Sequence, residues 1–96
     1  MNKNRRKAIA AIITKIDEVV NDAKSKFEDI QSDIENVLEE EQDYLDNMPA
    51  NLEGSERYEK AEEAVENLEN AVSAMGELID ALDGEELEEY LNNAME

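Results

Sequence analysis

Histidine and cysteine are both absent from this 96-residue sequence. With them go imidazole catalysis, thiolate chemistry, disulfides and the ordinary donor sets for zinc. Glycine occurs three times and proline once, and no glycine-rich loop is present to cradle a phosphate. Aromatic residues make up 4% of the chain. No apolar run approaches the roughly 18 to 20 residues that cross a bilayer. Positive charge is also scarce: 9 Lys and Arg stand against 27 Asp and Glu, a formal net charge of −18. That balance points to disorder wherever apolar residues are scattered.

Here they are not scattered. Steps of four and three from Ile9 land on Ile13, Ile16, Val20, Ala23, Phe27, Ile30, Ile34, Val37, Glu41, Tyr44 and Met48, with Glu41 the single polar member. A 3.5-residue repeat on a helix of 3.6 residues per turn makes a narrow seam that needs a partner helix. The spacing predicts a first helix over about 5–47, a rod of roughly 60 Å. Pro49 forces Met48 out of the helical region, and Asn47 favours a turn, so a loop follows over 48–54. The opening NKNRRKAIAAII has a basic start and an apolar run, like the first two parts of a secretory signal. However, Lys15, Asp17 and Glu18 interrupt it, and the seam runs through it in phase. It reads as the first turns of the helix, and the chain as a soluble protein of the cytoplasm.

The alternation returns in Tyr58, Ala61, Val65, Leu68, Val72, Met75, Ile79 and Leu82. A second helix over about 55–82 is therefore expected, with Ser55 or Asn51 as its N-cap and Glu56 and Glu59 in its first turn. Gly76 lies off the seam, where a close helix approach or local flexibility would explain it. Asp83 and Gly84 break this helix, and Asp83 with Glu86 has the spacing of a capping-box variant opening a third over about 85–95. The expected fold is all-α: a long antiparallel helical hairpin with a short third helix, in one domain. Leu87 and Leu91 would pack near Ile9 to Ile16. Lys3, Arg5, Arg6 and Lys7 would then lie near Glu85, Glu86, Glu88 and Glu89. A lone hairpin leaves one side of each seam wet, so a homodimer forming a four-helix bundle or coiled-coil-like rod is expected. Its seam would draw on Ile13, Ile16, Val20, Phe27, Ile30, Ile34, Val65, Leu68, Val72, Met75 and Ile79.

The stretch DNMPANLEGSERYEKAEEAVENLE, from Asp46 to Glu69, contains Asn47-Met48-Pro49, Asn51-Leu52 and Gly54-Ser55-Glu56-Arg57-Tyr58-Glu59. It resembles a segment of small, acidic, helical proteins from bacteriophages and mobile elements, most of them without an assigned activity. The resemblance covers about a quarter of the chain. It implies a viral accessory protein, acting in the host cytoplasm, and does not imply a mechanism.

Charge is the most informative functional feature. Residues 1–26 carry net +4 and residues 27–96 net −22. Two chains side by side along a rod of roughly 60 Å would carry about one charge per 1.7 Å, near the axial density of duplex DNA. Such a rod could mimic nucleic acid in the basic groove of a host protein. The alternative is a solvated acidic surface that keeps a small protein soluble. Partner-contact candidates are Glu62, Glu63, Glu66, Glu69, Glu39, Glu40 and Asp43 on the acidic faces, with Leu87, Tyr90 and Leu91 as an apolar patch for a partner helix. Phosphates would be repelled by the acidic body, so it is not expected to bind nucleic acid directly. Lys3 to Lys7 lack interleaved aromatics and read better as pairing with the acidic third helix than as a nucleic-acid or membrane contact.

Glu41 either fixes register in the seam or reaches solvent. Asp80 to Glu86 does not match a calcium loop. Glu39, Glu40, Glu41 and Asp43 have no nucleophile or pocket predicted beside them. The expectation is a non-enzymatic chain without catalytic residues, metal or cofactor. It would act by protein binding, either as an inhibitor of a host nucleic-acid-acting or defence protein through mimicry, or as a structural adaptor whose function is oligomerisation.

Overall fold

The computed structural model describes residues 1–96, and the chain is all-helical without strands. Helix α1 spans Lys3–Asp46, α2 spans Glu56–Ala81 and α3 spans Glu85–Ala94, with a 3-10 turn at Ala50–Leu52. The molecule is a rod of 76 × 16 × 13 Å.

Local chemistry sets the helix ends. Asn2 caps α1, its Oδ1 accepting from the Arg5 N–H at 2.9 Å, and the helix begins two residues before the periodicity suggests. No acidic residue lies in its first turn, so Lys3, Arg5 and Arg6 face the positive end of the helix dipole without compensation. At the other end the Asn47 side chain donates to the Asp43 carbonyl at 2.8 Å. Pro49, at φ −58 and ψ 146, then turns the chain away. Gly54 sits at φ 84, a left-handed conformation that favours glycine. Ser55, rather than Asn51, caps α2, its hydroxyl accepting from the Tyr58 N–H at 3.2 Å, with Glu56 and Glu59 in the first turn.

Beyond the turn, rising numbers on α2 and α3 meet falling numbers on α1. Tyr44 shares a cleft with Arg57 and Ala61, the Gln31 amide donates to the Val72 carbonyl at 3.1 Å, and Gly84 lies against Ile16. Two helices share one face only, so burial is thin: Ala61 and Val65 alone are fully buried. The accessible surface is 7171 Å², against about 5,600 Å² for an ordinary compact monomer of this mass.

The seam on α1 differs from its expected course at three places. Ile13, Ile16, Val20, Phe27 and Ile34 are half-buried. Ile30, Val37 and Tyr44 are exposed, and the next residue in each case, Gln31, Leu38 and Leu45, is half-buried instead. Consecutive residues are about 100° apart on a helix, so each pair straddles the seam and the position of α2 decides which member is covered. Gln31 is tolerated because its amide finds the Val72 carbonyl. A Cβ at Gly76 would stand 3.5 Å from Nε2, an ordinary contact, so this hydrogen bond does not require the glycine. On α2, Leu68, Val72, Met75 and Ile79 are half-buried.

Two expectations for α3 are corrected. Leu91 is half-buried, but Leu87 and Tyr90 are exposed and Glu88 turns inward in their place. The basic N-terminus forms no ion pair with α3; both ion pairs lie within single helices, Lys26–Asp22 at 3.0 Å and Lys60–Glu56 at 3.1 Å. Register explains this. Glu88 meets Asp17, so residues 3–7 of α1 overhang the far end of α3. The expected capping box is replaced by a shorter contact, the Glu85 N–H donating to Asp83 Oδ1 at 3.2 Å.

Candidate functional site

The acidic faces follow from the half-buried seam: positions outside it are free for solvent, and all the carboxylates of the chain except Glu41 and Glu88 are exposed there. Glu62, Glu63, Glu66 and Glu69 on α2 are exposed, as are Glu39, Glu40 and Asp43 on α1. None of these seven takes part in an ion pair. They form a negative surface without ion pairs along the half of the rod nearest the α1–α2 turn.

Tyr58 reports that field. Its phenol pKa is pushed up by partial burial first, then by the charges of Glu62, Glu53 and Asp46. Three shallow depressions ring the same end. One gathers Glu41, Tyr44, Glu56, Arg57, Lys60 and Ala61, and a second joins Tyr44 and Arg57 to Glu40, Asp43 and Met48. The third, on the other side of the turn, is bounded by Leu45, Met48, Glu53 and Tyr58. Arg57 and Lys60, the two cations beyond residue 26, sit on one side of the turn and give it mixed charge. Glu41 lines that side and is half-buried. No group of carboxylates in the fold is gathered for a metal ion.

The far end has a different chemistry. The Glu88 carboxyl stands beside Asp17, where its protonated form can donate a hydrogen bond; it is also partly desolvated and repelled by the charges of Asp17 and Glu85. These causes, in that order, raise its pKa. Its Oε1 is shut from solvent without a partner. Two carboxyls in contact share a proton more readily than they hold two charges. Leu87 and Tyr90 stand on the solvent side of α3, exposed while the helix remains docked. The apolar patch expected on this helix therefore needs no detachment, although Leu91 contributes little to it.

The exposed apolar residues of α1 are a feature the seam had concealed. Ile12, Val19, Ile30, Val37 and Tyr44 are 43% to 68% exposed. Spacing alone places Ile30, Val37 and Tyr44 on the seam of α1, with Ile30 also among the expected dimer contacts. Their 7-residue steps, continued by Ile12 to Val19, were the available sign of a second face.

Axial charge density also changes. With the observed length of 76 Å and a net charge of −18 per chain, two fully overlapped chains carry about one charge per 2.1 Å, a lower density than the one per 1.7 Å of duplex DNA. No family model, curated protein or solved structure matches the chain. No helix is long and apolar enough to cross a membrane.

Proposed function

We propose that the chain is a non-enzymatic accessory protein of bacteriophage origin that acts by binding a host protein with a basic surface. On this reading it works as an antiparallel helical hairpin, dimerised into a rod in the host cytoplasm. Its partner is a nucleic-acid-acting or defence protein whose basic groove it occupies in place of nucleic acid. The observation that carries the proposal is the run of unpaired, exposed carboxylates, Glu39, Glu40 and Asp43 with Glu62, Glu63, Glu66 and Glu69, on a rigid helical rod. Rigid placement matters because a disordered acidic tail would lose more entropy on binding.

The test is capture of partners from host lysate at two salt concentrations, followed by competition with DNA or RNA. Mimicry requires binding that falls steeply with salt and is displaced by nucleic acid. Changing Glu62, Glu63, Glu66 and Glu69 together to Gln should abolish capture while leaving helicity intact. Binding unchanged by those substitutions would remove mimicry.

A structural or assembly adaptor is the second reading, favoured by the exposed Leu87 and Tyr90 on α3. An adaptor would bind through these apolar residues, tolerate salt, and lose its partner on Leu87→Ala with Tyr90→Ala.

A further inference from the structure

The exposed apolar residues of α1 fall on one straight line. Ile12 and Ile30, and likewise Val19 and Val37, are 18 positions apart, about five whole turns of an α-helix. Tyr44 continues the line one heptad beyond Val37, and the row covers roughly 48 Å of helix. It lies on the flank of α1 where Tyr44 meets Arg57 and Ala61, opposite the flank where Gln31 reaches Val72. No element of the chain covers it: all five residues are exposed.

Four of its five members are related by symmetry. Ile12 pairs with Tyr44, Val19 with Val37, and Lys26 with Ile30, each pair equally distant from Glu28. Reversing the helix end for end therefore superposes Ile12, Val19, Val37 and Tyr44 on one another, while Ile30 comes onto the stem of Lys26. Charge does the opposite. Residues 1–26 carry net +4, while residues 27–46 of α1 carry net −9, with no cation among them. Reversal sets basic against acidic.

We propose that this stripe is the contact surface for a second copy of the chain, the two α1 helices running antiparallel about a two-fold axis beside Glu28. Ile12 of each copy meets Tyr44 of the other, and Val19 meets Val37. Lys15 comes opposite Glu41, and the overhanging Lys3 and Arg5 reach the α1–α2 turn of the other copy near Glu53 and Asn51. The basic segment that has no acidic partner within its own chain acquires one there. A parallel pair would set +4 against +4 and −9 against −9, and like charges in register oppose association. The elongated chain as a whole exposes about 1,600 Å² more than a compact monomer of its mass, and pairing along the rod would recover part of it, a stable dimer taking about 800 Å² from each partner. An isologous contact of this kind closes on itself and does not propagate into fibres.

This inference rests on the dimer reading of the proposed function, and its test separates the two. Sedimentation of the full chain gives the number of copies. The absence of native cysteine then allows orientation to be read by Val19→Cys and Val37→Cys, prepared separately. Disulfides need Cα atoms within about 7 Å. An equimolar mixture should give a linked dimer between the two variants, and each variant alone should give none. Self-linking of the Val19→Cys variant would overturn the antiparallel assignment and leave the dimer standing. Absence of linking in the mixture would remove the stripe as the interface. A single copy in sedimentation would overturn the dimer as well. Val19→Lys with Val37→Lys should shift the sedimenting species from two copies to one with helicity retained; should that variant unfold, the cysteine mixture still decides.

Discussion

The two ends of the rod hold α1 to the returning arm by different means. At the turn end the chain is specified locally: Asn47, Pro49, Gly54 and Ser55 each make or block a particular backbone conformation, and the two buried residues, Ala61 and Val65, follow within ten positions of the cap. At the α3 end there is no side-chain cap on Gly84. Docking there depends on a missing Cβ and on two carboxyls in contact. The first end is held by hydrogen bonds and apolar burial that do not themselves titrate, although carboxylates surround it. The second responds to pH and to steric change.

The largest test of this contrast is at the turn end. Val65→Asp would bury a charge without a partner, at a cost of about 3 to 5 kcal/mol. With so small a core, the whole chain should lose cooperative unfolding in a thermal melt followed by circular dichroism. At the opposite end, a Cβ on Gly84 would stand 2.8 Å from Ile16 Cγ2. Gly84→Ala should therefore cost about 1 to 3 kcal/mol by overpacking, confined to α3. Hydrogen exchange should quicken in residues 85–94 and stay unchanged in α2, and Ile16→Ala in the same chain should restore protection. If exchange rose throughout α2 as well, the ends would not be independent.

Ser55→Ala removes the α2 cap and should lower stability by about 1 kcal/mol, with α3 protection unaltered.

The smallest effect is electrostatic. The folded-state pKa of Glu88 is raised, so its contribution to α3 docking is fully present below its unfolded value. That contribution is lost as pH rises through the folded value. Protection of α3 should fall as pH climbs out of the ordinary carboxylate range. Glu88→Gln should flatten that dependence, because a neutral amide replaces the titrating member facing Asp17 and Glu85. An unchanged profile in this variant would assign the pH response to the general charge of the chain.

These differences also explain what could be read in the sequence. The all-helical rod was legible in the regular spacing of apolar residues, and the stop at Pro49 and the cap at Ser55 in the chemistry of single residues. The choices between Ile30 and Gln31, Val37 and Leu38, and Tyr44 and Leu45 were not legible. Each depends on the side from which α2 approaches, and in two of the three pairs both members are apolar. The inward turn of Glu88 was hidden for a related reason: a carboxylate is ordinarily assigned to solvent, and only contact with Asp17 makes its neutral form favourable. The acidic candidates are exposed, but the length of the rod was underestimated, which overstated the match to DNA.

One consequence follows from α1 being a single uninterrupted helix of 44 residues. It behaves as a keyed shaft, in which any change of residue number twists everything downstream by about 100° per position. Deleting Ser25 would leave both halves helical yet swing Ile30, Val37 and Tyr44 out of line with Ile12 and Val19. Length between Val19 and Ile30 is therefore constrained more tightly than the identity of the side chains that fill it.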